Sequence, residues 1–200
     1  VPTSIPFTVL VNGILVGTHA GGFDPFFFDI TDALIEEVEQ EIIVSVTDPT
    51  DTGDQPVGKQ TLNPFAIQYT AAAGIWQTVW LEPVPITCIE RVICSTNITD
   101  RSVTVTSYIS NVTDNVSVAL TCSANGSVVT QTQCLISQSQ TEIVLNIADL
   151  RLWSPDDPFL YDLQLQIIDA GGSIIDSVDS YFGARAVSYT HLRAHETSRY

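Results

Sequence analysis

Short apolar segments separated by turn residues recur at even intervals through the second half of this 200-residue chain. They lack the 3.6-residue period of an amphipathic helix, so this half is not predicted to be helical. About seven short strands within about 100 residues suit an immunoglobulin-like β-sandwich. The predicted strands are Ile86–Cys94, Ser102–Ile109, Ser117–Cys122, Ser127–Cys134, Glu142–Ile147, Leu160–Ile168 and Ser173–Tyr181.

The first half is also predicted to be rich in strands, and its clearest signal is the Asn12-Gly13 pair between two apolar runs. Asn-Gly readily adopts the positive φ angles of a type I′ turn, so a hairpin is expected there. Thr31 or Asp32 can cap one short helix over residues 33–37. The strands predicted here are Phe7–Val11, Ile14–Val16, Pro25–Phe28, Glu41–Val46 and Gly74–Glu82.

The two ends of the chain limit how much of it is expected to fold. The chain contains no methionine and no visible signal peptide, and a strand begins within a few residues of Val1, so the natural start is expected to be missing. Residues 187–200 show no strand or helix period and resemble the translation of a transposase-type sequencing adapter. They are interpreted as a non-native tail.

The acidic character of the remaining residues limits the partners of the chain. The tail holds two of the 7 Lys and Arg residues and one of the 23 Asp and Glu residues, which leaves 5 basic residues against 22 acidic ones. Such a surface repels phosphate backbones and anionic lipid headgroups. We therefore expect no nucleic-acid partner and no membrane partner.

Four cysteines, Cys88, Cys94, Cys122 and Cys134, fall within one short stretch. They form no C-x-x-C pair, so no zinc site is predicted. Cys88 and Cys94 would lie about 20 Å apart on one straight strand, which is too far for a disulfide between them. A disulfide to Cys122 or Cys134, or buried free thiols, remain open alternatives.

No metal or cofactor is predicted. Asp48, Asp51 and Asp54 lack the spacing of a calcium loop and are interpreted as a solvated acidic loop. The chain also has no phosphate-binding, dinucleotide-binding or nucleophilic-serine motif.

The cysteine-containing stretch also carries four N-x-S/T sequons, which makes their asparagines candidates for glycosylation. Together with the cysteines they favour a secretory route and an extracellular location. The asparagines are Asn97, Asn111, Asn115 and Asn125.

Four longer motifs occur in a fixed order along the chain. They are N-G-x-x-V-G-x-H-x-G-G-F-x-P-F-x-F-D-I-T over residues 12–31, G-I-W-Q-T-V-W-L-E over 74–82, L-W-S-P-D-D-P-F-L-Y-D-L over 152–163 and Y-F-G-A-R over 181–185. In this order they resemble the front half of glycoside hydrolase family 2, which includes β-galactosidases and β-glucuronidases.

The resemblance implies an all-β chain: a partial jelly-roll, sugar-binding-like domain over residues 1–82, a linker at 83–85 and an immunoglobulin-like β-sandwich over 86–186. In the family a TIM barrel follows and supplies the two glutamates of a retaining mechanism. The chain is therefore expected to be a non-catalytic part of an enzyme that hydrolyses O-glycosyl bonds in its carbohydrate substrate. The alternative is a non-enzymatic carbohydrate-binding or adhesion protein built from the same sandwiches.

The resemblance also suggests residues for the site. In relatives the loop ending G-K-Q helps to wall the substrate pocket, so Lys59 and Gln60 are expected on the substrate side, although Val57 stands where an arginine often precedes them. Gln68 occupies the register in which some relatives carry an acidic residue that reaches a sugar hydroxyl.

The same resemblance bears on the aromatic and cationic residues near the domain ends. Trp76 and Arg185 are expected to anchor contacts between domains. Trp76 and Trp80 lie four residues apart on one face of a predicted strand, which favours a core or an interdomain contact, and Trp153 is likewise expected in a core rather than as a stacking platform for sugar rings. No residue of this chain is expected to be catalytic.

Overall fold

The computed structural model describes residues 6–36, 38–52 and 57–186. These residues form an all-β structure, which confirms the predicted fold class, and one turn of 3-10 helix at Thr31–Ala33. The predicted non-native tail, residues 187–200, lies outside the described residues. The chain divides into two compact units between Leu81 and Glu82. No helix within the described ranges is long and apolar enough to span a bilayer.

The strands are numbered in chain order. The first unit holds β1 Pro6–Val11, β2 Ile14–Ala20, β3 Ile42–Val46, β4 Gln60–Thr61 and β5 Tyr69–Thr70. The second unit holds β6 Ile89–Asn97, β7 Ser102–Ile109, β8 Val116–Ala124, β9 Ser127–Ile136, β10 Gln140–Asn146, β11 Tyr161–Ile168 and β12 Ile174–Phe182.

The first unit is built on a three-stranded antiparallel sheet in the order β2-β1-β3. The predicted hairpin is present: Asn12 and Gly13 turn the chain at φ angles of 52° and 78°. The Asn12 side chain is fixed as well, because its amide donates to the Ala33 carbonyl at 2.8 Å. Only the central strand is well buried, through Phe7, Val9 and Val11.

Residues 25–28 form no strand, so the strand predicted there is wrong. Phe26 and Phe28 cover β2 instead, whereas Phe27 is exposed. The Phe26 ring stacks on the His19 imidazole with centroids 4.3 Å apart. The Phe28 ring lies so close to Gly17 that a Cβ there would stand 2.2 Å from it. An aromatic run therefore contributes its side chains to the sheet face without joining the sheet.

Two further predictions for the first unit are wrong. Residues 74–82 form no strand, although their composition favours one. The helix expected over residues 33–37 is absent among the described residues of that segment, because the chain leaves the 3-10 turn at Leu34 with an extended ψ of 145°. The turn itself is held by Asp29, whose carboxylate accepts from the Thr31 amide and hydroxyl.

Residues 82–186 of the second unit contain seven antiparallel strands in two sheets, ordered β10-β7-β6 and β12-β11-β8-β9. All seven match predicted segments to within about three residues at each end. Their inward side chains alternate with exposed ones, as period-two burial requires. The core centres on Val105, Val118, Leu120, Leu163 and Leu165.

A tyrosine fastens the corner that leads into β11. The Tyr161 hydroxyl accepts from the Arg151 amide at 2.8 Å and donates to the Asp149 carbonyl at 3.4 Å. Its ring stacks on Phe182 with centroids 5.1 Å apart. A tyrosine at the start of this strand, bonded back to the upstream backbone, is a feature of immunoglobulin-like sandwiches.

All four cysteines are free thiols. Cys122 is fully buried in the core, and this burial, with smaller contributions from Asp162 and Cys94, raises the pKa of its thiol to about 11. Burial also raises the pKa of Cys94 and of Cys134. Of the two alternatives that the sequence left open, the structure contains the free thiols.

Candidate functional site

Residues 57–72 form a small closed loop in the first unit. β4 and β5 pair in parallel, with Gln60 opposite Tyr69. The Tyr69 amide also donates to the Lys59 carbonyl at 2.7 Å. Because the ladder is only two residues long, the loop depends on side chains for the rest of its order.

The two predicted glutamines supply that order. The Gln60 side-chain carbonyl accepts from the Ala72 amide at 3.0 Å, and the Gln68 side-chain carbonyl accepts from the Phe65 amide at 3.0 Å. A primary amide has two N–H donors besides its carbonyl. In both residues the acceptor is therefore used within the loop, while the exposed NH₂ group can donate to a ligand.

Asp51, interpreted from the sequence as part of a solvated acidic loop, fixes the same loop from outside. Its carboxylate accepts from the Leu62 amide at 3.1 Å. Asp48 instead closes a local turn by accepting from the Thr50 amide at 2.8 Å. Asp54 lies outside the described residues. Sequence reasoning missed the contact to Leu62, because no local pattern signals a bond across eleven residues.

Lys59 is the only lysine or arginine in residues 1–90. It is exposed, and its ammonium nitrogen lies 5.8 Å from the centroid of the Tyr69 ring. Among the described residues the one ion pair is Arg151–Asp157, so the Lys59 ammonium is not neutralised there by a carboxylate. The loop thus presents an ammonium and two amide NH₂ groups, all hydrogen-bond donors.

Residues 57–81 expose ten large apolar side chains and contain no charge except Lys59. We call this stretch the apolar segment 57–81. Phe65 is 83% exposed, and Trp76 and Trp80 are each 70% exposed. Neither tryptophan therefore lies in the core of its own unit. The indole of Trp76 is nevertheless held, because its N–H donates to the Gly22 carbonyl at 2.9 Å.

Arg185 and Trp153 meet at the end of the second unit. The guanidinium of Arg185 lies 5.2 Å from the centre of the Trp153 ring. The Trp153 amide donates to the carbonyl of Ala184 at 2.7 Å, which fixes the neighbouring backbone. Arg185 is exposed and Trp153 is half-buried, so the guanidinium remains accessible.

Two carboxylates of the described residues, Asp29 and Asp157, are held by local hydrogen bonds. Asp29 and Asp32 line a shallow, open depression beside Ile14 and Leu15. Two hydrogen bonds from Thr31 lower the pKa of Asp29, which favours the ionised form and not the protonated form that a general acid requires. Asp157 is held by Arg151. Within the described ranges, no closed cleft with two converging carboxylates is found.

The four sequon asparagines all lie in the second unit and are exposed. Three of them adopt positive φ angles in turns: 45° at Asn111, 60° at Asn115 and 51° at Asn125. Asn97 ends β6.

Comparison with known proteins agrees with the architecture. A sequence profile described as "Glycosyl hydrolases family 2" matches residues 87–185. A β-galactosidase of Thermoanaerobacter pseudethanolicus is 28% identical over 90% of this chain and 24% of its own length. A β-galactosidase of Halalkalibacterium halodurans is 26% identical over 90% of this chain and 17% of its own length. The chain therefore spans a quarter or less of these relatives.

Solved structures show the same fold. A β-glucuronidase of Bacteroides uniformis superposes with a TM-score of 0.70 at 18% identity, covering 92% of this chain and 24% of that one. A β-glucuronidase of Ruminococcus gnavus in complex with D-glucuronic acid superposes with a TM-score of 0.68 at 19% identity, covering 93% of this chain and 34% of that one.

The fold and site define a protein of two all-β units. The first carries a loop rich in hydrogen-bond donors, and the second is an immunoglobulin-like sandwich. The chain belongs to glycosyl hydrolases family 2. The resemblance carried by the four sequence motifs is thereby confirmed.

Proposed function

We propose that this chain is a non-catalytic N-terminal part of a glycoside hydrolase that cleaves O-glycosyl bonds of the β-galactoside or β-glucuronide type. The family match over residues 87–185 carries the proposal. A retaining glycosidase needs two carboxyl groups about 5 Å apart, one as nucleophile and one as acid/base. The described residues offer no cleft that would hold such a pair, so the chemistry is assigned to another part of the polypeptide.

The apolar segment 57–81 supports a scaffolding role. Large exposed apolar patches mark interaction surfaces, because leaving them in water costs free energy. The segment exposes ten large apolar side chains and carries one charge, which supports its assignment as an interaction surface. In this proposal a catalytic barrel covers it, with Trp76 and Arg185 as anchors, and the carbohydrate substrate binds to that barrel.

The loop that contains Lys59 forms part of the wall of the substrate pocket in this proposal. Its ammonium and the free NH₂ groups of Gln60 and Gln68 would donate to sugar oxygens. None of these groups can act as a carboxylic acid or a nucleophilic carboxylate, so they position substrate and do not catalyse.

The proposal is tested first on the chain itself. Assays of the 200-residue chain with chromogenic β-galactosides and β-glucuronides should give no turnover above a buffer control. The complete coding sequence should add a barrel with glutamates at two strand ends. Turnover by the chain alone, abolished by a substitution inside it, would contradict the proposal.

The role of Lys59 is tested in the complete enzyme. Lys59→Met should raise KM about fivefold and leave kcat nearly unchanged, because losing one hydrogen bond made equally to substrate and transition state costs about 1 kcal/mol. Lys59→Arg, which keeps a cationic donor, should recover most of the affinity. An unchanged KM in Lys59→Met would contradict the proposal that Lys59 contacts the substrate.

The exposure of Trp76 and Trp80 favours a second candidate, a non-enzymatic carbohydrate-binding protein. Exposed indole rings are suitable platforms for the apolar faces of sugars. A glycan array probed with the 200-residue chain distinguishes the two functions. Binding that Trp80→Ala abolishes and Trp153→Ala preserves would support the second candidate.

A further inference from the structure

The four sequons of this chain are not structurally equivalent. Four of its seven asparagines begin an N-x-S/T sequence, and all four lie between β6 and β9. Attachment of an N-linked glycan requires access to the asparagine amide and to the hydroxyl residue two positions on. The structure separates the sequons by this criterion.

Asn125 stands at the tip of the β8–β9 hairpin. Asn125 and Gly126 form its turn with φ angles of 51° and 77°. Asn125, Gly126 and Ser127 are all exposed, and this is the only described sequon with all three residues exposed. Within the described residues the Asn125 side chain makes no hydrogen bond, so its amide nitrogen is free to react.

The amides of Asn97 and Asn111 are used by the fold. Asn97 donates to the Asp100 carboxylate at 2.7 Å and accepts from the Asp100 amide at 3.1 Å. Asn111 donates to the Ile86 carbonyl at 3.0 Å, which joins the β7–β8 loop to the segment that precedes β6.

Asn115 is exposed, but the remainder of its sequon is buried. Val116 and Ser117 begin β8 and are 2% and 6% exposed. The Ser117 hydroxyl also accepts from the Gln133 amide at 2.7 Å. An enzyme acting on the folded domain could reach the asparagine without reaching the hydroxyl.

We propose that Asn125 is the principal acceptor of an N-linked glycan. The donor class is an oligosaccharide carried on a polyprenyl diphosphate. The Asn125 amide nitrogen forms a bond to the anomeric carbon and releases one proton, while the bond from that carbon to the diphosphate oxygen breaks and the polyprenyl diphosphate leaves. The proposal implies passage of the chain through a secretory compartment, in accordance with the sequence-based expectation of an extracellular location.

The glycan fits this position without disturbing the sandwich. Asn125 projects from a turn whose partner Gly126 has open space around it. Residues 125–129 around the turn are exposed, and the buried residues of the two flanking strands, such as Cys122 and Ile136, lie further from it. Attachment should therefore leave the thermal midpoint of the second unit unchanged.

The experiment is secretion of the 200-residue chain behind a leader peptide from a eukaryotic host, followed by enzymatic glycan removal and mass spectrometry of the peptides. Most molecules should carry a glycan at Asn125, and its occupancy should exceed that of Asn97, Asn111 and Asn115. The midpoint should be the same before and after glycan removal.

Two matched variants test the assignment. Asn125→Gln and Ser127→Ala should each remove one glycan, although the second variant keeps the asparagine in the turn. Asn12, which lies in the other Asn-Gly turn and has Ile14 two positions on, should remain unmodified. An unoccupied Asn125, whether the other sites are filled or empty, would overturn the proposal.

Discussion

The carboxylate of Asp176 accepts a hydrogen bond from the backbone amide of Ile89 at 2.8 Å. The bond joins the first strand of the second unit to its last, since Ile89 begins β6 and Asp176 lies near the start of β12. The two strands belong to different sheets, so no ladder hydrogen bonds join them. This side chain therefore fastens an open edge of the sandwich.

Asp176→Ala should destabilise the second unit by about 2 kcal/mol, because a hydrogen bond to a charged acceptor is lost and a partly buried amide is left unpaired. Asp176→Asn retains a neutral acceptor and should cost about half as much. Urea unfolding monitored by circular dichroism measures both. Equal losses in the two variants would mean that the hydrogen bond is not the cause.

Tyr161→Phe should lower the free energy of unfolding by about 1 kcal/mol, the typical contribution of a hydrogen bond. The substitution removes the hydroxyl oxygen that accepts a hydrogen bond from the Arg151 amide. The stacking of the ring on Phe182 is retained. Tyr181→Phe is the control, because Tyr181 is exposed and lies on the neighbouring β12. The control should unfold at the same urea concentration as the unsubstituted chain, and an equal shift in both variants would contradict the role of the Tyr161 hydroxyl.

Acid should weaken the Arg151–Asp157 pair. The hydrogen bond from Arg151 holds the pKa of Asp157 below its usual value of 3.8. A carboxyl whose folded pKa is lowered contributes stability above its unfolded pKa and loses it as pH falls through the folded one. The effect is small, because both side chains are about half exposed and solvent screens the pair.

The measurement for this pair is the urea midpoint at pH 6 and at pH 3. Asp157→Asn should lower the pH 6 value slightly and reduce the difference between the two pH values. Asp156→Asn, at the exposed neighbouring position, should leave that difference as it is in the unsubstituted chain. A difference unaffected by Asp157→Asn would show that the pair does not contribute.

Cys122 should resist alkylation in the folded chain. A rise in the pKa of its thiol from 9.0 to about 11 reduces the thiolate fraction at pH 8 about 100-fold, and burial blocks access further. Peptide mass spectrometry after brief treatment with iodoacetamide should find Cys122 unmodified in buffer and modified in about 8 M urea, which unfolds the chain. Rapid modification in buffer would show that the core opens.

The second unit could be predicted from sequence because its short apolar segments are evenly spaced, and strands such as β7 and β11 alternate apolar and polar residues. In β11, Tyr161, Leu163, Leu165 and Ile167 are buried while Asp162 and Gln164 are exposed. This alternation fixes both the strand and the face that it buries. The Asn12-Gly13 turn was equally predictable, because positive φ angles favour those residues.

The first unit could not be predicted as well, because an apolar composition does not specify a pairing partner. Residues 25–28 and 74–82 have the residues of strands, but their aromatic side chains either cover a neighbouring strand, as Phe28 does at Gly17, or remain exposed, as Trp80 does. The contacts of the loop that contains Lys59 could not be predicted from local sequence either. The pairing of Asp51 with Leu62 and of Gln60 with Ala72 depends on the three-dimensional path of the chain.

The odd number of antiparallel strands in the second unit determines where the polypeptide leaves it. The bond between Ile89 and Asp176 aligns the start of β6 with the start of β12, so Phe182 ends at the opposite pole from Ile89. A strand of nine residues spans about 30 Å. The sandwich therefore separates Ile89 from Phe182 by about the length of one strand, so the described chain enters and ends its strands at opposite poles of this unit.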